Sequence, residues 1–152
     1  MDTAIQNSGV KQQALHQNAE ITQQSLHRNV QVAQQVLKYT YGLVPIVAGA
    51  DKFFNLLVNW ENYISSPVSN LLPVSGATFM SIVGIIEMAA GLLVLFRPKI
   101  GAWVVMAWLT LIALTLVAGG HYLDVAVRDL VMAVGAFTLA KLSVVSSKAI
   151  HQ

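Results

Sequence analysis

The sequence predicts an all-α protein: a membrane-embedded four-helix bundle preceded by a long cytoplasmic helix that leads into the first span. Of the 152 residues, 55% are hydrophobic and 11% are charged, whereas a soluble domain carries about 25% charged residues. Residues 39–145 also divide into four apolar stretches, each long enough to cross a bilayer as a helix. An unusually apolar soluble bundle is the alternative, but it does not require four stretches of this length.

Composition excludes several classes of function. The formal net charge of +2 is too small to predict binding to nucleic acid. The chain has no cysteine, which excludes disulfides, thiol redox catalysis and a cysteine-ligated metal site within it. Residues 1–38 are polar, so we expect no cleavable signal peptide. We assign no catalytic residue, and the sequence favours a protein that is not an enzyme.

The polar segment 1–38 is rich in Gln and contains a repeat of 11 residues. Gln12–Asn18, QQALHQN, returns as Gln23–Asn29, QQSLHRN, and in part at 34–38 as QQVLK. Eleven residues make three turns of 3.67 residues each, so a stripe with this period stays on one face of a helix without drift. The repeat therefore predicts one long helix that begins near Val10 and runs into the first span.

One side of that helix carries an apolar stripe with spacings of three and four residues, which we name the association face. Its members are Leu15, Ala19, Thr22, Leu26, Val30, Ala33 and Leu37. The stripe is narrow and partly Ala and Thr, so it favours close helix packing over insertion among lipid headgroups. A second copy, a partner protein or the membrane surface would cover it. The alternative interpretation is a solvated low-complexity tail with no partner. His16 and His27 are 11 residues apart, whereas metal ligands on a helix lie three or four apart, so no metal site is predicted.

The four predicted spans cover residues 39–60, 77–96, 100–118 and 125–145, and a polar tail follows at 146–152. Gly42 and Gly49 in the first span allow close helix packing, and Pro45 can kink it. The loop 61–76 has no Lys or Arg and fits a short interfacial helix or a cap. Seven of the nine Lys and Arg residues lie in the N-terminal segment, the 97–99 turn and the C-terminal end. Because positive charge marks the cytoplasmic side, we expect both termini in the cytoplasm.

Nearly all charged side chains within the spans, with the exception of Lys141, lie in the half away from the cytoplasm. At 1.5 Å per residue, Glu87 is about 15 Å and Lys52 about 12 Å below the outer boundary. A lone charge at this depth needs a partner. Spans one and two are therefore predicted to be antiparallel neighbours with Lys52 directed at Glu87. Asp124 and Arg128 are one helical turn apart and can also pair.

The polar residues of this half allow two interpretations. In the first, they form an ion-pair network that fixes helix register, with Asp51 and Asp124 facing water. In the second, they form a pocket open to the outer face, where excess acid holds a proton, a cation or a hydrogen-bonding ligand, and His121 relays protons at the rim. The group comprises Lys52, Glu87, Asp51, His121, Asp124, Arg128 and Asp129. A bis-histidine haem site is not expected, because the spans offer one histidine at their edge.

Three short motifs are shared with a known family. They are Gly49-Ala50-Asp51-Lys52-Phe53, Gly84-Ile85-Ile86-Glu87 with Gly91, and Arg128-Asp129-Leu130 leading to Gly135. Together they resemble the DoxX-like family of small four-helix bacterial membrane proteins, over roughly residues 39–145. The family often has an Arg where Lys38 and Tyr39 stand, and the 11-residue repeat is not part of its pattern. The resemblance implies an integral subunit or accessory protein of the bacterial inner membrane, with Lys52 and Glu87 at matching positions.

Two functions follow as expectations. The first is a non-catalytic membrane subunit that associates with itself or a partner through the association face. The second is an accessory protein for redox chemistry that binds a quinone or another lipid-soluble ligand in the polar pocket, because DoxX-like members are associated with quinone-linked sulfur oxidation and with maturation or protection of redox proteins. A small transporter is a third hypothesis, less favoured than these two, since four spans without pseudo-symmetric halves leave little room for alternating access.

Overall fold

The computed structural model describes residues 2–64 and 73–149 of the chain. The described residues are almost entirely helical, which confirms the all-α prediction. In chain order they form α1 (Asp2–Phe54), a 3-10 helix (Trp60–Tyr63), α2 (Gly76–Phe96), α3 (Pro98–Gly119) and α4 (Leu123–Ala149). The chain divides into two compact units, Met1–Ala33 and Gln34–Gln152, so the boundary falls a few residues before the predicted one at 38.

The first helix is continuous from the polar segment into the first apolar stretch, as the 11-residue repeat predicts. It begins at Asp2, earlier than the predicted Val10, and it ends at Phe54. The predicted first span reached Trp60, and this limit is wrong for the helix. Asn55 adopts a left-handed conformation with φ of 51°, which stops the helix and turns the chain.

The remaining three helices follow the predicted spans closely. Residues typical of helix starts and helix ends mark several of their boundaries. Ser75 precedes α2, and its hydroxyl accepts a hydrogen bond from the Thr78 backbone N–H at 3.3 Å. Pro98 opens α3 at a position where its missing N–H is not needed. Gly120 closes α3 with a left-handed φ of 69°. The last helix continues beyond the predicted limit of 145, as far as Ala149.

Two pairs of glycines bring α1 and α2 together as antiparallel neighbours. Gly49 faces Gly84, and a Cβ built on either would lie 2.5 Å from the carbonyl oxygen of the other. Two turns away, a Cβ built on Gly91 would meet the Gly42 carbonyl oxygen, whereas one built on Gly42 would first meet the Leu95 side chain. Because no side chain separates the backbones, the two helices approach each other closely along this seam. The structure thus confirms the packing role predicted for Gly42 and Gly49.

The core of the second unit is rich in alanine and is contributed by all four helices. Helix α3 packs against both α2 and α4. The Tyr41 hydroxyl of α1 donates a 2.7 Å hydrogen bond to the Met132 carbonyl oxygen of α4, and its ring lies against Gly135. The buried cluster comprises Tyr41, Ala90, Val94, Ala102, Val105, Ala136, Leu139 and Ala140. Small side chains at these positions permit the close helix packing seen in membrane bundles.

Large apolar side chains cover the outer surface of these helices as well as their core. Ile85 on α2, Leu114 on α3 and Val134 on α4 are all more than half exposed. Among the described residues, α2 and α3 are long and apolar enough to cross a membrane. Core helices of soluble proteins also reach this length and composition, so the four-span arrangement stays a prediction.

Candidate functional site

A buried ion pair joins the last turn of α1 to the middle of α2. The Lys52 Nζ donates a 2.6 Å hydrogen bond to Glu87 Oε2, and the two side chains are only 5% and 11% exposed. Gly84 makes this approach possible, because a Cβ built there would lie 3.2 Å from the Lys52 Cβ. The predicted pairing of Lys52 with Glu87 is therefore confirmed.

An aromatic ring covers the other side of the lysine. The Lys52 Nζ lies 3.7 Å from the centroid of the Trp60 ring, a cation–π distance. The sequence placed Trp60 about 12 Å above Lys52, at the end of an uninterrupted helix. That estimate is wrong because α1 ends at Phe54 and the chain folds back, which brings the indole onto the ammonium group.

The carboxylate of Asp51 fixes this reversal of the chain. Its Oδ2 accepts a 2.6 Å hydrogen bond from Trp60 Nε1. Its Oδ1 accepts hydrogen bonds from the backbone N–H groups of Leu56, at 2.9 Å, and Leu57, at 3.1 Å. Asp51 is only 6% exposed. The expectation that Asp51 simply faces water is therefore wrong, since its oxygens bind the turn and the indole.

Helix α4 adds a third buried acid, Asp129, which is 6% exposed. Among the described residues, no hydrogen bond or ion pair joins its carboxylate to Lys52. Arg128 Nε lies 3.5 Å from Asp129 Oδ1, and the Arg128 side chain is 63% exposed. Arg128 thus pairs with the adjacent Asp129 rather than with Asp124, the predicted partner one turn earlier.

The seven predicted site residues separate into two groups. Asp51, Lys52, Glu87 and Asp129 are buried, whereas His121, Asp124 and Arg128 are exposed. We name the four buried residues, with Trp60, the charge cluster; its members are Asp51, Lys52, Trp60, Glu87 and Asp129.

Two aromatic residues extend the charge cluster toward the start of α4. The Tyr63 ring lies 5.9 Å from Trp60 and 4.5 Å from Tyr122, measured between ring centroids. Sequence reasoning did not link Trp60 or Tyr63 to Lys52. The sequence feature that could have indicated this contact is the pair Asp51-Lys52 followed eight residues after Lys52 by Trp60. An indole can donate a hydrogen bond to the carboxylate and accept the ammonium over its ring.

Helix α3 carries a different polar feature within its apolar sequence. Of the residues that the structure describes, Trp108 has a buried side-chain nitrogen, Nε1, without a hydrogen-bond partner. A buried indole N–H usually finds an acceptor. This unpaired donor could not be predicted from the sequence, because nothing sets Trp108 apart from the other apolar residues of the span.

The geometry of the charge cluster suits a structural role better than a catalytic one. The Lys52 ammonium is held between a carboxylate and an indole ring, so it is not presented to a reactant as a free amine. Across residues 2–64 and 73–149, no group of three or more His, Asp or Glu side chains is arranged to hold a metal ion. The cluster joins α1 to α2 through the Lys52–Glu87 ion pair and holds the turn that follows α1 through Asp51.

No protein-family model, curated protein or solved structure matches this chain. The predicted resemblance to the DoxX-like family therefore stays a prediction that rests on the three short motifs. Those motifs supply four of the five members of the charge cluster, Asp51, Lys52, Glu87 and Asp129.

Proposed function

We propose that this chain is a non-catalytic subunit of a membrane assembly in the bacterial inner membrane. The unit that begins at Gln34 is embedded in the bilayer, and both termini are cytoplasmic. The N-terminal helix binds a second copy or a partner protein through the association face. Membership of the DoxX-like family is part of this proposal, and the positions of Lys52 and Glu87 support it.

The observation that carries the proposal is the exposure of the association face between Leu15 and Leu26. Farther along the helix Val30 is half-buried, and Leu37 packs against the core of the bundle, so the prediction of Leu37 as a member of this face is wrong. Every side chain described between residues 11 and 29 is exposed, and Leu15 and Leu26 are 61% and 62% exposed. Helices in proteins draw most of their stability from packing of an apolar face. A helix that presents leucines on one regular stripe therefore has a surface suited to another helix.

The ion pair supports an embedded bundle. Lys52 and Glu87 are both buried, yet each has an opposite charge within hydrogen-bonding distance. Charged side chains inside membrane bundles face the interior and pair with one another. The exposed apolar side chains of α2, α3 and α4 complete the pattern expected of helices surrounded by lipid.

Deletion of residues 1–35 tests the proposal. The truncated protein should still insert into membranes and fold, because the core cluster and the charge cluster lie beyond the deletion. Its native mass in mild detergent, measured by light scattering, should fall relative to the full chain, and co-purifying proteins should be lost. An unchanged mass with unchanged partners would contradict the proposed role of the N-terminal helix.

One observation favours a second candidate, an accessory protein for redox chemistry that binds a quinone or another lipid-soluble ligand. The unpaired Nε1 of Trp108 is a hydrogen-bond donor in an apolar helix, and a ligand carbonyl oxygen would satisfy it. Native mass spectrometry of gently extracted protein should then detect a bound ligand that is lost in Trp108→Phe. Extraction without any bound ligand would count against this candidate.

A further inference from the structure

The last residues of α1 and the turn that follows it expose an unusual amount of apolar surface. Residues 53–58 read FFNLLV, and no charged side chain occurs between Phe53 and Trp60. Phe54 is 71%, Leu56 83% and Leu57 66% exposed. Contiguous apolar surface of this kind marks a site of interaction rather than ordinary solvent-exposed surface.

The backbone of this turn is hydrogen-bonded within the protein although it is not helical. The Asn55 N–H donates to the Asp51 carbonyl oxygen at 2.7 Å. The N–H groups of Leu56 and Leu57 donate to the Asp51 carboxylate. The Trp60 N–H donates to Asn55 Oδ1 at 3.3 Å. Two polar side chains thus take the place that water occupies in an ordinary surface turn.

Internal hydrogen bonding distinguishes a lipid environment from an aqueous one. Irregular backbone cannot contact hydrocarbon unless its N–H and C=O groups are satisfied, because lipid offers no replacement partner. A turn in water has no such requirement. The N–H groups of Asn55, Leu56, Leu57 and Trp60 meet this condition. The side chains of Phe54, Leu56 and Leu57 are exposed beside them.

The exposed turn is also continuous with the apolar surface of the bundle. Phe53 is 44% exposed, and its ring lies 3.3 Å from a Cβ built on Gly84 of α2. Ile85, the next residue on α2, is 57% exposed. The turn therefore extends the same apolar surface that faces lipid in the proposed arrangement, and Trp60 and Tyr63 follow it, as is typical at a membrane interface.

From these observations we infer that residues 53–58, the end of α1 and the turn after it, form a lipid-contacting element. The side chains of Phe54, Leu56 and Leu57 lie among acyl chains near the outer boundary of the bilayer, and Asp51 satisfies the backbone that would otherwise need water. The inference rests on the membrane placement of the bundle in the proposed function.

Spin labelling tests this inference directly, because the chain has no native cysteine. Leu56→Cys and Leu57→Cys are each labelled with a nitroxide in the full-length protein, reconstituted in vesicles of phosphatidylcholine and phosphatidylglycerol. Collision rates are measured with oxygen, which concentrates in hydrocarbon, and with a nickel chelate, which stays in water. Ile85→Cys provides the reference for a lipid-facing site, and Gln24→Cys, exposed on the N-terminal helix, the reference for water.

Labels at positions 56 and 57 should show an oxygen-to-nickel ratio close to that of position 85 and well above that of position 24. A water-like ratio at 56 and 57, with a lipid-like ratio at 85, would overturn the inference and leave the embedded bundle intact. Low collision rates with both reagents at 56 and 57 would also overturn it, because protein rather than lipid would then cover the turn. A water-like ratio at 85 would overturn the membrane placement itself.

Discussion

Lys52 donates a 2.6 Å hydrogen bond to Glu87 and so ties the end of α1 to the middle of α2. Both residues are buried. Removing one partner of such a pair strands an uncompensated charge, whereas removing both together avoids that penalty. This asymmetry makes the contact testable by substitution.

Lys52→Met should destabilise the bundle by about 3–5 kcal/mol, the usual effect of breaking a buried pair. The double change Lys52→Met with Glu87→Gln should recover a substantial part of this loss. Denaturant unfolding in detergent, arranged as a double-mutant cycle, measures the coupling. Lys99→Met is the control, because Lys99 is an exposed lysine of α3; it should have a far smaller effect. Strictly additive effects at positions 52 and 87 would show that the two residues do not interact.

Gly84→Ala should open the seam between α1 and α2. A Cβ at position 84 would lie 2.5 Å from the Gly49 carbonyl oxygen, which is backbone and cannot move aside without shifting the helix. Overpacking of this kind typically costs about 1–3 kcal/mol in the free energy of unfolding. Ala89→Val adds bulk to an exposed position of the same helix and should change stability by less than about 0.5 kcal/mol. Equal effects of the two substitutions would contradict close packing at this seam.

Trp60→Phe and Trp60→Leu should separate two contributions of the indole. Phenylalanine retains an aromatic face over Lys52 but loses the hydrogen bond to Asp51, whereas leucine loses both. The leucine variant should therefore be less stable than the phenylalanine variant by about 0.5–2 kcal/mol, the range of a cation–π contact. Thermal unfolding in detergent provides the comparison. Identical stabilities would mean that the ring face contributes nothing to holding Lys52.

Asp51→Ala should loosen the turn that follows α1 without removing the pair between Lys52 and Glu87. The backbone N–H groups of Leu56 and Leu57 lose their acceptor, so hydrogen exchange at these two amides should become faster. Asp124→Ala is the control, because Asp124 is an exposed acid at the start of α4. If exchange at positions 56 and 57 is unchanged in Asp51→Ala, the carboxylate does not protect this turn.

Two features of the sequence allowed parts of this structure to be predicted: the periodicity of its apolar residues and the small number of charged residues within the spans. The 11-residue repeat predicts a continuous first helix, and the apolar run from Ala77 to Phe96 is found as α2 with one further residue at its start. Lys52 was the only base predicted at the depth of Glu87, so pairing followed from charge compensation.

The end of α1 could not be predicted, because residues 53–58 are as apolar as the helix before them. The helix ends where the Asp51 carboxylate accepts hydrogen bonds from the backbone N–H groups of Leu56 and Leu57 and from the Trp60 indole. Hydropathy and residue spacing do not predict these contacts. The burial of Asp51 and the position of Trp60 against Lys52 both follow from that one reversal, and sequence reasoning missed them together.

Assembly through the association face is the central claim of the proposed function. Two pairs of substitutions test it most directly. Leu15→Gln with Leu26→Gln changes the face, whereas Ile21→Gln with Val32→Gln changes residues of similar exposure, 57% each, that are also 11 residues apart but lie on another side of the helix. The measurement is the native mass of the protein extracted in mild detergent. The native mass of the Leu15/Leu26 variant should fall to that of the free subunit. The native mass of the Ile21/Val32 variant should equal that of the unaltered protein. Equal masses for all three proteins would contradict assembly through the association face.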